Sequence, residues 1–402
     1  MPPAKIFLKI TPGYAIIEAG NSAGVLPITS QLNELTANRV FEENSHAEKG
    51  KETGTVRKLT CILLAALLLP VISLAEEDLI MREIPVTDVC PVCIGQTENA
   101  EAATGCTVFI APEGMRAGLD VRGGGPASRE SQLLNPLMAA RQIHAIVLAG
   151  GSAYGLGAAS GVMQYLEEHG IGYDTGYALV PLVAQSDIYD LSVGDSSVRP
   201  DAAMGYEAAR LAMEAPNYRD GNYGAGCGAT VGKFAGMDFC MKSGIGSYAV
   251  QIGGLKIGAV VVVNALGDIY DWRTGTQIAG MLNEEKTGLR STPAYMRGSY
   301  AVIENKFTGN TTICTVFTNA RFDKAQLCKI AGMAHDGYAR SINPVHTSAD
   351  GDSIYAVSIG DIEADQDLVG ALAAEVVSEA ITRAVTSADG AYGFPAARDL
   401  QP

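Results

Sequence analysis

Residues Lys256–Asn264, KIGAVVVVN, constrain this chain more than any other stretch. β-branched residues in series favour an extended backbone. A run with no apolar/polar alternation offers no face to water, so it reads as a strand inside a covered sheet. Cys106–Ala111 (CTVFIA), Ala117–Val121, Ala145–Ala149 (AIVLA) and Thr311–Thr318 (TTICTVFT) are further buried-strand candidates, and Glu83–Gly95 reads as a strand and turn. Helical spacing marks Leu133–His144, Ala153–His169, Asp201–Ala215, Ala325–Ser341 and Leu368–Val385. In Ala325–Ser341, Leu327, Ile330, Ala331 and Ala334 form one stripe. Strands and helices mix along the chain, so the expected class is α/β or α+β with a layered sheet. Asn283–Gly309 is polar and reads as an exposed connector before the TTICTVFT strand.

The first 75 residues differ from the rest. Arg57 and Lys58 precede the uncharged run Cys61–Ala75, CILLAALLLPVISLA, which ends in small residues before Glu76. A basic start, a short apolar middle and a small-residue end describe a secretory signal, and Pro70 would interrupt a core helix. The run is shorter than the about 20 residues of a membrane span. The expectation is therefore a signal at 56–75, an exported protein, a non-native extension at 1–55 and one domain at 76–402. That domain holds seven cysteines, an odd number, and Cys90 and Cys93 form a lone C-x-x-C. The net charge of −15, with no basic stripe, speaks against nucleic acid as a partner.

Familiar motifs fail when their spacing is checked. Gly224–Lys233 lacks both the first glycine and the hydroxyl residue of a P-loop, and Gly155–Ser160 is one residue short of G-x-G-x-x-G. G-x-S-x-G occurs once, at Gly20–Gly24, within the extension expected to be non-native, and is a match common by chance. Three polar groups remain that packing does not explain: Lys233 in a Gly-rich stretch, Asn264 ending the most apolar strand, and the pair Asp350 and Asp352. Each also has an ordinary reading, as a solvated lysine, a turn asparagine and an exposed or calcium-binding loop.

A resemblance carries the reading further. VTDVCPVCIGQ and TGCTVFIAPEGMRAGLDVRGGGPASRE (within 86–130), AIVLAGGSAYGLGAASGV (145–162), GDSSVRPDAAMGYEAARLA (194–212), YGAGCGATVGK (223–233), AVVVVNALGD (259–268) and GNTTICTVFTNARFDKAQLCKIAGMAHDGYARSINPVHTSADGD (309–352) follow one another as in the L-aminopeptidase/D-esterase family. That family includes beta-peptidyl aminopeptidases and nylon-oligomer hydrolases. Cys90 and Cys93 depart from it, since the family usually has Pro-Gly there.

The resemblance implies a four-layer αββα sandwich of the self-processing N-terminal-nucleophile hydrolase type. It implies a cut at Asn310–Thr311 into 76–310 and 311–402. Thr311 would then be the nucleophile and its freed α-amine, with an ordinary pKa near 7.7–8.0, the base. Asn264 matches the family's oxyanion donor, Lys233 a lysine near the same site, and Asp350 and Asp352 an acidic pair that would orient the Thr311 amine and hydroxyl. Tyr189 falls near a family tyrosine. Asp-x-Asp, Thr and Lys together lean towards the nylon-hydrolase branch. The implied substrates are small peptides or amino-acid amides, with no cofactor, no metal, no stable membrane span and a homo-oligomer of cleaved heterodimers. Two alternatives stand: an acyltransferase of the ornithine acetyltransferase type, and a non-enzymatic binding or redox protein using Cys90 and Cys93.

Overall fold

The computed structural model describes residues 80–298 and 309–400, together with the backbone of three earlier strands. The chain divides into two units, 1–77 and 78–402. In the first, Ile6–Thr11, Tyr14–Ala19 and Ser22–Pro27 form an antiparallel meander that the sequence reading did not anticipate. The expected signal at 56–75 lies outside the described residues, as do residues 299–308 of the polar connector.

The second unit is built on two stacked sheets. One carries β1 (Arg82–Ile84), β9 (Ile245–Ile252), β10 (Leu255–Asn264), β11 (Thr311–Ala320), β12 (Ser353–Ile362) and the second half of β3 (Thr104–Val121), in that spatial order. All its pairings are antiparallel except β11 with β12. The other sheet carries β2 (Cys93–Asn99), the first half of β3, β5 (Ile143–Ala149), β6 (Val183–Asp187) and β4 (Ala127–Arg129). β3 belongs to both because its register slips between Ile110 and Met115. The two expected strands Cys106–Ala111 and Ala117–Val121 are thus halves of one 18-residue strand.

Three apolar layers hold the stack together. Between the sheets lie Phe109, Ile146, Val260, Val262, Ile313, Phe317 and Tyr355, with the Phe109 and Phe317 rings 5.2 Å apart. Helices α1 (Ala158–Glu168) and α2 (Ala202–Glu214) cover the second sheet through Val162, Leu166, Ala208 and Ala209. Helices α3 (Lys324–Ser341) and α4 (Gln366–Thr386) cover the first through Leu327, Ile330, Val376 and Ile381. Each Val, Leu, Ile or Phe among them contributes about 1.5–3 kcal/mol when fully buried. The order helix, sheet, sheet, helix is the expected αββα sandwich. β10 is buried along almost its whole length because it lies between these layers.

The helices start where their caps dictate. Asp201 accepts from the Met204 N–H, and Asp365 from those of Asp367 and Leu368. Asp323 and Gln326 exchange a full capping box; an N-cap of this kind is worth about 1 kcal/mol. Leu133–His144 is a correction. It holds only a short 3-10 turn, Ser131–Leu134, and becomes β5 at Ile143. Pro136 lies within the stretch, and Leu137 is left exposed, so its helical spacing has no core to face.

Candidate active site

Strand register brings the sequence-singled residues to one place. Thr311 opens β11 directly opposite Asn264, which closes β10. Asn310 bridges Asp350, just before β12 begins. Lys233 follows β7 (Thr230–Val231), and its backbone is tied to Leu266 just beyond β10. Asn264, Lys233, Asn310, Thr311, Asp350 and Asp352 are all buried, none more than 4% exposed.

Two carbonyls of the chain entering β11 are held by this set. The Gly309 carbonyl accepts from Lys233 Nζ at 3.0 Å and from Asn264 Nδ2 at 3.2 Å. The Asn310 carbonyl accepts from the Gly351 N–H at 2.9 Å, and the Thr311 hydroxyl donates to it as well. In the uncut chain, therefore, the backbone donor on the carbonyl that Thr311 would attack is Gly351, and the Asn264 amide rests one residue earlier.

Among the described residues no carboxylate is in hydrogen-bond contact with Lys233. Its ammonium donates to Asn264 O at 3.0 Å, Asn264 Oδ1 at 2.8 Å and Gly309 O. Burial pulls its pKa down to about 7, only partly opposed by Cys240, Asp350 and Asp190. Burial pushes Asp350 up to about 6, helped by the neighbouring Asp352 charge and resisted by Thr347. Burial thus disfavours the charged form of both groups.

The acidic pair acts on the surrounding backbone. Asp350 Oδ2 accepts from the Thr347 N–H at 2.8 Å and from its hydroxyl. Asp352 accepts from the Thr312 N–H at 2.7 Å, the His346 N–H at 3.0 Å and His346 Nδ1 at 2.8 Å. The expected direct bonds to Thr311 are replaced, in this uncut state, by bonds that fix the residues around it. Tyr189 is also present, through its carbonyl, which accepts from Asn264 Nδ2 at 3.0 Å, and through its ring, which lies against Gly309.

His346, Gly309 and Gly351 are the site residues that the sequence reading missed. Gly309 has a φ of +42° and no room for a Cβ beside the Tyr189 ring. His346 lay in the quoted stretch NPVHTSADGD, four residues before Asp350, and that proximity was the available signal.

Elsewhere, all seven cysteines of the second unit are free thiols. Burial pushes Cys90 up to about 12, which keeps it protonated and weakens the redox alternative. Among the described residues no three His, Cys, Asp or Glu side chains converge as a metal site, and no helix is long and apolar enough to cross a membrane.

The four layers, with Thr311 opening a central strand, have the architecture of an N-terminal-nucleophile hydrolase. The same fold is seen in the L-aminopeptidase D-Ala-esterase/amidase of Ochrobactrum anthropi, described as a variant of that fold. The TM-score is 0.55 at 18% identity, over 75% of this chain and 86% of that one. A Burkholderia beta-aminopeptidase aligns with a TM-score of 0.50 at 21% identity, over 74% of this chain and 83% of that one. The sequence model of peptidase family S58 matches residues 85–398, and the chain belongs to that family of amide-bond hydrolases. Among its relatives, an aminopeptidase of Mycobacterium leprae is 36% identical over 77% of this chain and 92% of its own. A 6-aminohexanoate-oligomer endohydrolase of Agromyces is 34% identical over 75% of this chain and 86% of its own.

Proposed function

We propose that this hydrolase makes its own nucleophile by cutting Asn310–Thr311, and then cleaves small amides or short peptides, including oligomers of ω-amino acids. The observation that carries the reading is the contact at the scissile carbonyl: the Thr311 hydroxyl lies against it, and the Gly351 N–H holds its oxygen. In the first step Thr311 Oγ bonds to the Asn310 carbonyl carbon. The hydroxyl proton passes to the Thr311 nitrogen as the peptide C–N bond breaks, leaving an ester. Water then hydrolyses the ester to an Asn310 carboxylate and a free Thr311 hydroxyl and amine. A preorganised donor on the developing oxyanion is worth about 3–4 kcal/mol in such a step.

In the uncut chain the donors of the site are already taken. Gly309 occupies both Lys233 Nζ and Asn264 Nδ2, the donors that a substrate carbonyl would need. Cutting frees the segment ending in Asn310 to leave, and exposes those donors beside a new α-amine. That amine, with an ordinary pKa near 7.7–8.0, takes the Thr311 hydroxyl proton in each later turnover. Substrate acyl groups pass to Thr311 Oγ and then to water. The Agromyces relative favours ω-amino-acid oligomers among the candidate amides.

Intact-mass analysis of purified protein, paired with assays on amino-acid p-nitroanilides and 6-aminohexanoate oligomers, tests this reading. The expected result is a fragment beginning at Thr311 and hydrolysis without an added acyl acceptor. An uncut chain with full activity would refute it, and activity only with an added acceptor would favour the acyltransferase alternative.

A further inference from the structure

Among the described residues, Lys242 is the one with a charged side chain, outside the set above, that is fully buried with its charged end bonded only to backbone. It is 0% exposed, and its ammonium donates to Gly226 O at 3.1 Å, Ala229 O at 3.0 Å and Ser243 O. It forms no ion pair among the described residues. Burying an ammonium is costly unless its donors are met, and here three carbonyls meet them.

One of those carbonyls matters for the site. Ala229 C=O and Thr230 N–H belong to the same peptide plane. The oxygen side of that plane is held by Lys242 Nζ and by the Ser243 N–H at 2.9 Å. The nitrogen side donates to Asn264 Oδ1 at 3.1 Å. A trans peptide is planar, so fixing its oxygen fixes the direction of its N–H on the opposite side. A backbone N–H can only donate. Together with the Lys233 ammonium, which donates to the same oxygen at 2.8 Å, it therefore selects the Asn264 rotamer with Oδ1 towards Thr230 and Nδ2 towards Gly309. Thr230 and Lys242 also face each other in the β7–β8 ladder (β8, Met241–Lys242), which seats the ammonium under this peptide.

We propose that Lys242 is a positioning residue for substrate turnover: it locks the Ala229–Thr230 peptide, and through it aims the Asn264 amide at the place the Gly309 carbonyl holds in the uncut chain, where a substrate carbonyl would sit. Lys242 touches neither Thr311 nor Gly309, and acts through Asn264. The inference rests on the reading of Asn264 as a donor to substrate given above.

The test uses the full-length chain. Lys242→Met keeps the side-chain length and removes the donors. Lys324→Met is the control, because Lys324 Nζ also binds three carbonyls, those of Leu133, Asn135 and Met138, at a surface loop. For Lys242→Met, kcat on an amino-acid p-nitroanilide should fall about tenfold with KM within twofold. Lys242→Gln, which retains an amide donor, should recover part of the loss, and Lys324→Met should keep the wild-type kcat. In an Asn264→Ala background, adding Lys242→Met should cost little further. Wild-type kcat in Lys242→Met, an equal loss in Lys324→Met, or full additivity with Asn264→Ala would overturn the proposal. If neither Lys242 variant folds, the residue belongs to stability and the proposal also fails. A wild-type rate in Asn264→Ala alone would instead sink the underlying reading of Asn264.

Discussion

Gly351→Ala separates the position of the Thr311 hydroxyl from every other part of the proposed self-cutting step. The substitution keeps the backbone N–H that holds the Asn310 carbonyl at 2.9 Å. It adds a Cβ that would stand 2.7 Å from Thr311 Oγ1, with Gly125 O at 3.0 Å and Pro126 Cα at 3.2 Å behind it. Ordinary contact begins roughly 0.7 Å further out, so the hydroxyl has to move by about that much. The Cβ has little room to shift, because the Gly125 and Pro126 backbone crowds it as well. A misplacement of about 1 Å at a reacting atom costs on the order of 10²-fold in rate. We therefore expect cutting at Asn310–Thr311 to slow by about 10–100-fold, equivalent to about 1.4–2.7 kcal/mol on the barrier. The assay is a time course of intact mass on freshly synthesised chain, with thermal melting as a check on folding. A folded Gly351→Ala chain that cuts at the wild-type rate would refute the placement of the hydroxyl and the cutting geometry built on it.

Three other outcomes are expected. Thr311→Ala should give a single uncut chain without amidase activity, and Thr311→Ser should still cut, more slowly; mass spectrometry of both decides, and cutting in the alanine variant would rule out Thr311 as nucleophile. Gly309→Ala should slow cutting, because its Cβ meets the Tyr189 ring and its φ of +42° disfavours a side chain, and Tyr189→Ala added to it should restore part of the rate on the same gels. The stability deficit of Lys242→Met should depend on pH. Folding lowers the Lys242 pKa from 10.5 to about 7, so between those values the unfolded chain holds a proton that the folded one has lost. Wild-type stability from this group is present above the unfolded value and lost as pH falls through about 7. The gap in Tm between Lys242→Met and wild type should widen from pH 7 to pH 10, and a gap independent of pH would show that the ammonium does not titrate in this way.

Much of the fold was legible because its elements carry strong local signals. The β-branched run of β10 and the capped, striped helix α3 were read nearly to their ends, since burial and capping there agree with the local pattern. Leu133–His144 misled because spacing alone does not say whether a core lies opposite. The single long β3 was split in two because a slip in pairing leaves no mark in residue type. At the site, side chains with distinctive chemistry were found: Lys233, Asn264, Thr311, Asp350 and Asp352 do meet. What escaped was work done by backbone groups. The Gly351 N–H, the Gly309 carbonyl and the Thr230 N–H are identical in kind to hundreds of others, and only the folded register gives them a task. His346 was passed over because its role depends on Asp352, a partner visible only once the loop closes.

β11 and β12 lie side by side in the middle of their sheet, with β10 on one flank and β3 on the other. A cut before Thr311 would make these two strands the heart of the shorter piece, while both flanking strands stay with the longer one. The pieces would then interlock like a tenon in its mortise, the longer supplying the sides of a slot that the shorter fills. Two separately made polypeptides would have to open a finished sheet to reach that arrangement, so assembly belongs to the single chain and must come first. The same geometry explains how a chain terminus can arise deep in a folded body: the new end starts life already seated between neighbours, with no path by which it had to thread in.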